Sequence, residues 1–146
     1  MKSKYRSGFT LVEVLIVVVI LAVLAATIIP QFSDSTKDAK ESTMLFNLHT
    51  LRSQIQMYRT QHDGLLPGNA LDELINATDK DGNIGSGGAY GPYVTEIPEN
   101  PFTKSKTVKV ITNSPAQNSD VSTTDGWLFN ATTGEIWISH ADYFDE

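Results

Sequence analysis

Glu13 is the only charged residue in the 21-residue run from Phe9 to Ile29. An ionised carboxylate in an apolar medium costs several kcal/mol, about 2.5–3.5 on the milder scales, so it is normally functional or paired. Lys2, Lys4 and Arg6 stand ahead of the run, and Gly8 immediately precedes it. Elsewhere the residues that could do chemistry are scattered. His49, His62 and His140 form no H-E-x-x-H or comparable zinc spacing. His49 and His62 fall on a helical pattern and read as solvated or flanking residues. No serine occupies a G-x-S-x-G elbow, and neither a P-loop nor a dinucleotide fingerprint occurs. Asp79-x-Asp81-Gly82-Asn83 opens like a calcium loop, but an EF-hand needs glutamate at its twelfth position, where Tyr90 stands. With no cysteine there is no disulfide framework and no thiolate site. What the sequence offers is one carboxylate in an apolar run rather than a catalytic constellation.

The elements that must position it follow from length and patterning. The chain has 146 residues, room for one domain. Twenty helical residues rise about 30 Å, the thickness of a bilayer's hydrocarbon core, so Phe9 to Ile29 reads as a membrane anchor with a modest soluble head behind it. Three basic residues precede the anchor, while the rest of the chain carries 8 basic against 17 acidic residues. Positive flanks stay cytoplasmic, which places the C-terminal part across the membrane. A head this acidic argues against nucleic acid as a direct partner. An ordinary secretory signal has an apolar core of roughly 7–15 residues and an A-x-A cleavage site. This run is longer, and Leu24-Ala25-Ala26 lacks that spacing. A plain signal anchor fits the length but leaves Glu13 unexplained, unless it snorkels to the interface from near the helix end.

Pro30 lacks an N–H, so a kink or a short melted stretch is expected there. Helical patterning then resumes, with Ala39, Leu45, Leu48, Leu51, Ile55 and Tyr58 as an apolar stripe and Asp63-Gly64 as the stop. Leu71 to Ala77 suggests a short helix beside a glycine-rich loop. Val108 to Thr112 reads as a strand. Trp127–Asn130 and Glu135–Ile138 flank a turn at 131–134, a hairpin signal, with both tryptophans expected in the core against the helix stripe. The expected fold is α+β: a long N-terminal helix, its first half transmembrane and its second half packed on a small antiparallel sheet.

Gly8-Phe9-Thr10-Leu11-Val12-Glu13, after a short basic leader, resembles the N-terminal signature of type IV pilins and type II secretion pseudopilins. The stretch Gly91-Pro92-Tyr93-Val94 to Ile97-Pro98 and Asn100-Pro101-Phe102 is similar to a segment of the major pseudopilin, with Asn-Pro-Phe where that family has Asp-Pro-Trp. The resemblance implies that a prepilin peptidase cuts between Gly8 and Phe9, that the new Phe9 amine is N-methylated, and that Glu13 serves assembly. It divides the chain into a leader (1–8), a transmembrane helix (9–29), an amphipathic continuation (30–63) and a periplasmic head (64–146). Phe9 and Glu13, four apart, would face one side of the helix, and Glu13 could pair with a neighbouring subunit's amine. Methylation leaves that amine basic, and a buried pair specifies register more than it stabilises. Implied partners are copies of the chain itself, minor pseudopilins, the inner-membrane assembly platform and membrane lipid, in a bacterial inner membrane. The pseudopilus of type II secretion is the preferred machine, favoured by small size, the absence of cysteine and the 91–102 segment. A type IV or competence pilus is the alternative, and a single-pass protein with a ligand-binding or catalytic head is the reading from another class. No cofactor is expected. The family's calcium site in a late aspartate-rich loop would fall on Asp120, Ser122 and Asp125, although the spacing departs from the family's and an ordinary hydrated turn accounts for them as well.

Overall fold

The computed structural model describes residues 8–68, 70–85 and 87–146, apart from the side chains at 30 and 33. The order of elements is α1 (Leu11–Gln61), α2 (Asp72–Ile75), β1 (Val108–Val110), a single 3₁₀ turn at Asn118–Asp120, β2 (Trp127–Asn130) and β3 (Glu135–Ile138). Two compact units divide the chain between Ala39 and Lys40.

Among the described residues of the first unit the helix is the one element. Every residue from Leu11 to Ile29 is exposed, and the helix is long and apolar enough to cross a membrane. Valine and isoleucine are poor helix formers in water. In lipid the backbone has no other hydrogen-bond partner, so helix is what a single span must adopt. Helical structure continues without a break through Pro30, so the melted stretch expected there is absent.

In the second unit the later turns of α1 bury Met44, Leu48, Leu51, Ile55 and Tyr58 against Trp127, Phe129, Ile136 and Ile138. Met44 takes the place in this stripe that the sequence pattern assigned to Ala39, which is exposed. The helix stops as expected: Asp63 and Gly64 adopt φ of 53° and 94°, and the Gly64 N–H donates to the Arg59 carbonyl at 2.8 Å.

The sheet has the order β1-β2-β3. The hairpin falls on the expected residues, with Asn130 paired to Glu135 and Trp127 to Ile138. Asn130 Oδ1 accepts the N–H groups of Thr132 and Thr133 at 2.9 and 3.1 Å, which closes the turn. The sheet is mixed, however, and not wholly antiparallel. β1 pairs with β2 in parallel, Val108 against Trp127. The two tryptophans also part company. Residues directly opposite in a ladder share a face. Trp127 is opposite Ile138 and Trp137 is opposite Leu128, so the two rings lie on opposite faces. Trp127 packs in the helix-side core, while Trp137 joins Ile111, Ala116 and Leu128 in a second, smaller cluster.

The 91–102 segment straps these elements together. The N–H groups of Tyr93 and Val94 both donate to the Leu74 carbonyl, at 2.8 and 3.0 Å. The Trp127 indole N–H donates to the Pro98 carbonyl at 2.8 Å. Asn100 is fully buried; its amide donates to the Gly126 carbonyl at 3.0 Å and its Oδ1 accepts the Phe102 N–H at 2.9 Å. The Asn-for-Asp departure therefore has a chemical consequence, since an ionised aspartate could not make the bond to Gly126.

Candidate functional site

The first helical residue is Leu11, and the four leading N–H groups of a helix have no partner within it. Thr10 and Glu13 meet that need reciprocally. The Glu13 N–H donates to Thr10 Oγ1 at 3.2 Å, and Glu13 Oε2 accepts the Thr10 N–H at 2.7 Å and the Thr10 hydroxyl at 2.8 Å. This is a capping box, with the carboxylate at the positive end of the helix dipole. The T-x-x-E spacing before an apolar run is a legible sequence signal for it, and Thr10 is the functional residue that pattern reading overlooked.

Phe9 lies outside the helix and is 89% exposed. It nevertheless shares one groove with Glu13, lined further by Val14, Val17 and Val18. The structure thus brings Phe9 and Glu13 to the same side, as their spacing predicted, although only Glu13 is helical. The Phe9 nitrogen is here a backbone amide, and among the described residues Glu13 is held by its own helix terminus. Gly8 is exposed, and a Cβ added there would meet nothing within 4 Å. Lys2, Lys4, Arg6 and the rest of the expected leader up to residue 7 lie outside the described residues.

The late-loop residues are differently engaged. Asp120 accepts two bonds from the Asn113 amide, at 3.0 and 2.9 Å, and the Gln117 N–H at 2.9 Å. The Asn113 bond chiefly holds its carboxyl below the usual carboxylate range, with the Gln117 N–H and Lys109 adding to the effect. Ser122 Oγ bonds Thr124 Oγ1 at 2.8 Å, and none of these bonds joins Asp120, Ser122 and Asp125 to one another. Among the described residues no three His, Cys, Asp or Glu side chains assemble a cation site. Asp120 already accepts three hydrogen bonds, which a cation would have to displace in part. Asp79, in the other candidate loop, accepts the N–H groups of Asp81 and Asn83, both at 2.9 Å, and forms an ordinary Asx turn.

His62 corrects the sequence reading. It is fully buried, not solvated, and stacks on Tyr58 at 3.9 Å between ring centroids. Its Nδ1 bonds the Tyr58 carbonyl and its Nε2 the Thr78 hydroxyl, each at 2.9 Å. With every ring nitrogen satisfied inside the core, it is a structural residue. His49 is exposed as expected.

Residues 3–29 match the family model described as the prokaryotic N-terminal methylation motif. The chain is 27% identical over 106 residues to type II secretion system core protein G of Aeromonas hydrophila, a match covering 70% of this chain and 71% of that protein. It is 36% identical over 59 residues to the protein of the same name from Pseudomonas aeruginosa, covering 40% of this chain and 42% of that one. A fimbrial protein of Neisseria meningitidis serogroup B is 36% identical over 64 residues, 44% of this chain and 37% of its own length. No solved structure matches significantly. The capped carboxylate at the head of an exposed apolar helix, the methylation motif over it and a match that runs on past that motif agree: the chain carries a prepilin-type N-terminus and is similar to the pseudopilins named type II secretion system core protein G.

Proposed function

We propose that the chain is a structural subunit of the pseudopilus of type II secretion, held in the inner membrane by α1 with its head in the periplasm, and polymerised through that helix. The observation that carries this reading is the outward face of α1 within the head. Ser42, Phe46, Thr50, Ser53, Met57 and Thr60 recur at spacings of three and four with no charge among them. Phe46 is 70% exposed, and the Thr50 and Thr60 hydroxyls donate to their own helix carbonyls at 2.9 and 2.8 Å. A helix face meant for water carries charge. With the threonine hydroxyls already satisfied, such a face can be buried against another copy at reduced desolvation cost.

Assembly then has a definite chemistry at the N-terminus. Removal of residues 1–8 by a prepilin peptidase frees the Phe9 amine, which methylation leaves cationic. Nothing among the described residues requires glycine at position 8, which supports its being read by a protease instead. The new cation competes with Thr10 for the Glu13 carboxylate of a neighbour, and the pair sets the axial register of packed helices. Minor pseudopilins and the inner-membrane platform are the further partners, and no reaction is assigned to the chain itself. The test compares proteins in the culture medium with and without the gene. Exoproteins retained in the periplasm of the deletion strain are expected. An unchanged medium overturns the secretion reading and turns attention to surface filaments.

A further inference from the structure

The two edges of the sheet are finished differently. On β3 the outward carbonyl of Ile136 accepts a hydrogen bond from Arg52 Nε at 3.3 Å. On β1 the Ile111 N–H reaches the Phe129 carbonyl at 2.9 Å and the Thr107 carbonyl accepts the Trp127 N–H at 3.1 Å. The backbone of residues 107, 109 and 111 therefore faces β2. The N–H and C=O groups of Val108 and Val110 point the other way, and no described residue partners them. Val110 is 44% exposed.

Charge marks this edge further. Residues 64–146 contain four lysines against twelve carboxylates, and three of the four are Lys104, Lys106 and Lys109. Lys106 bridges Glu96 at 2.6 Å, but with 48% and 67% of the side chains exposed the pair is readily exchanged. Lysines on an edge deter pairing between identical edges, because two copies of β1 would set like charges together. For a strand bearing carboxylates the same lysines are attractive.

We propose that β1 is a strand-addition site for an extended segment of a partner protein with carboxylates on alternate residues. Val108 and Val110 supply the main-chain ladder, and Lys104 and Lys106, just ahead of the strand, select the sign of the partner, whereas the Lys109 ammonium is committed to the Asp120 carbonyl. This surface belongs to the head and is independent of how α1 assembles.

The test uses the full chain in zwitterionic detergent micelles and a blocked heptapeptide alternating glutamate and valine. Saturable binding is expected, with slowed exchange of the Val108 and Val110 N–H groups. Val110→Pro removes an outward donor and leaves the β2 ladder intact, so it should weaken binding at least tenfold. The Lys104→Glu/Lys106→Glu variant should do the same with Trp127 fluorescence unchanged. The proposal is overturned by absence of saturable binding, by protection at other amides, or by equal binding of a lysine–valine peptide. Equal binding of the acidic peptide N-methylated on all its amides, which keeps its charge but has no donors, overturns it too.

Discussion

The Glu13 carboxylate takes both the N–H and the hydroxyl of Thr10, at 2.7 and 2.8 Å, so the one charge in the anchor is satisfied before any partner arrives. A carboxylate held this way is neither idle nor permanently committed. Its donors are neutral, and a cationic amine offers a stronger, charge-assisted bond. Glu13→Ala should leave leader removal intact, since Gly8 and Phe9 are untouched, while the yield of sheared filaments falls at least tenfold. Thr10→Val keeps the N–H bond and loses the hydroxyl, so its yield should fall less. Intact mass of the membrane-extracted chain checks the first point, and filament yield the second. Normal yield from Glu13→Ala would refute the pairing.

His62→Ala removes a buried ring and strands the Thr78 hydroxyl, while the Tyr58 carbonyl keeps the backbone N–H of residue 62. Loss of a packed ring and of its bonds together should cost about 2–4 kcal/mol in chemical denaturation. His49→Ala, on the exposed face, should stay within about 0.5 kcal/mol of the parent. Equal losses from the two would show that the core does not depend on His62.

Asn100→Asp replaces a buried amide donor with a carboxylate facing the Gly126 carbonyl. Leaving that acceptor unpaired and burying a charge should destabilise the head by about 1–3 kcal/mol at neutral pH. Burial raises the folded pKa of the new carboxyl, and its protonated form can donate. The deficit should therefore be largest above the folded pKa and shrink as pH falls toward the unfolded value. A deficit that ignores pH would mean the loop has opened and solvated the new charge.

Local signals carried well from sequence to structure, and long-range ones did not. The hairpin strands fall on Trp127–Asn130 and Glu135–Ile138 because two short apolar runs and the turn ending at Gly134 between them are properties of neighbouring residues. The parallel partnership of β1 depends on Val108 meeting Trp127 across an intervening loop, which no local pattern encodes. His62 looked solvated because its cover, Thr78 and Tyr90, arrives from later in the chain. Thr10 is the opposite case, a local signal in which Glu13 acts as a cap as well as a charge.

The late loop can be a hydrogen-bonded turn or a metal site, and pH and calcium separate the two. Asp120 is held below its usual range mainly by the Asn113 amide. A lowered folded pKa means its contribution is present above the unfolded value, about 3.9, and is lost as pH falls through the folded pKa. Thermal melts of the parent should therefore lose more stability below that point than melts of Asp120→Asn, whose amide does not titrate. A bound ion would raise Tm by mass action. Millimolar calcium should leave Tm unmoved, since the Asp120 oxygens already accept Asn113 and Gln117. A calcium-dependent rise that disappears in Asp120→Asn would restore Asp120, Ser122 and Asp125 as ligands, and would mean that Asn113 gives way when the ion binds.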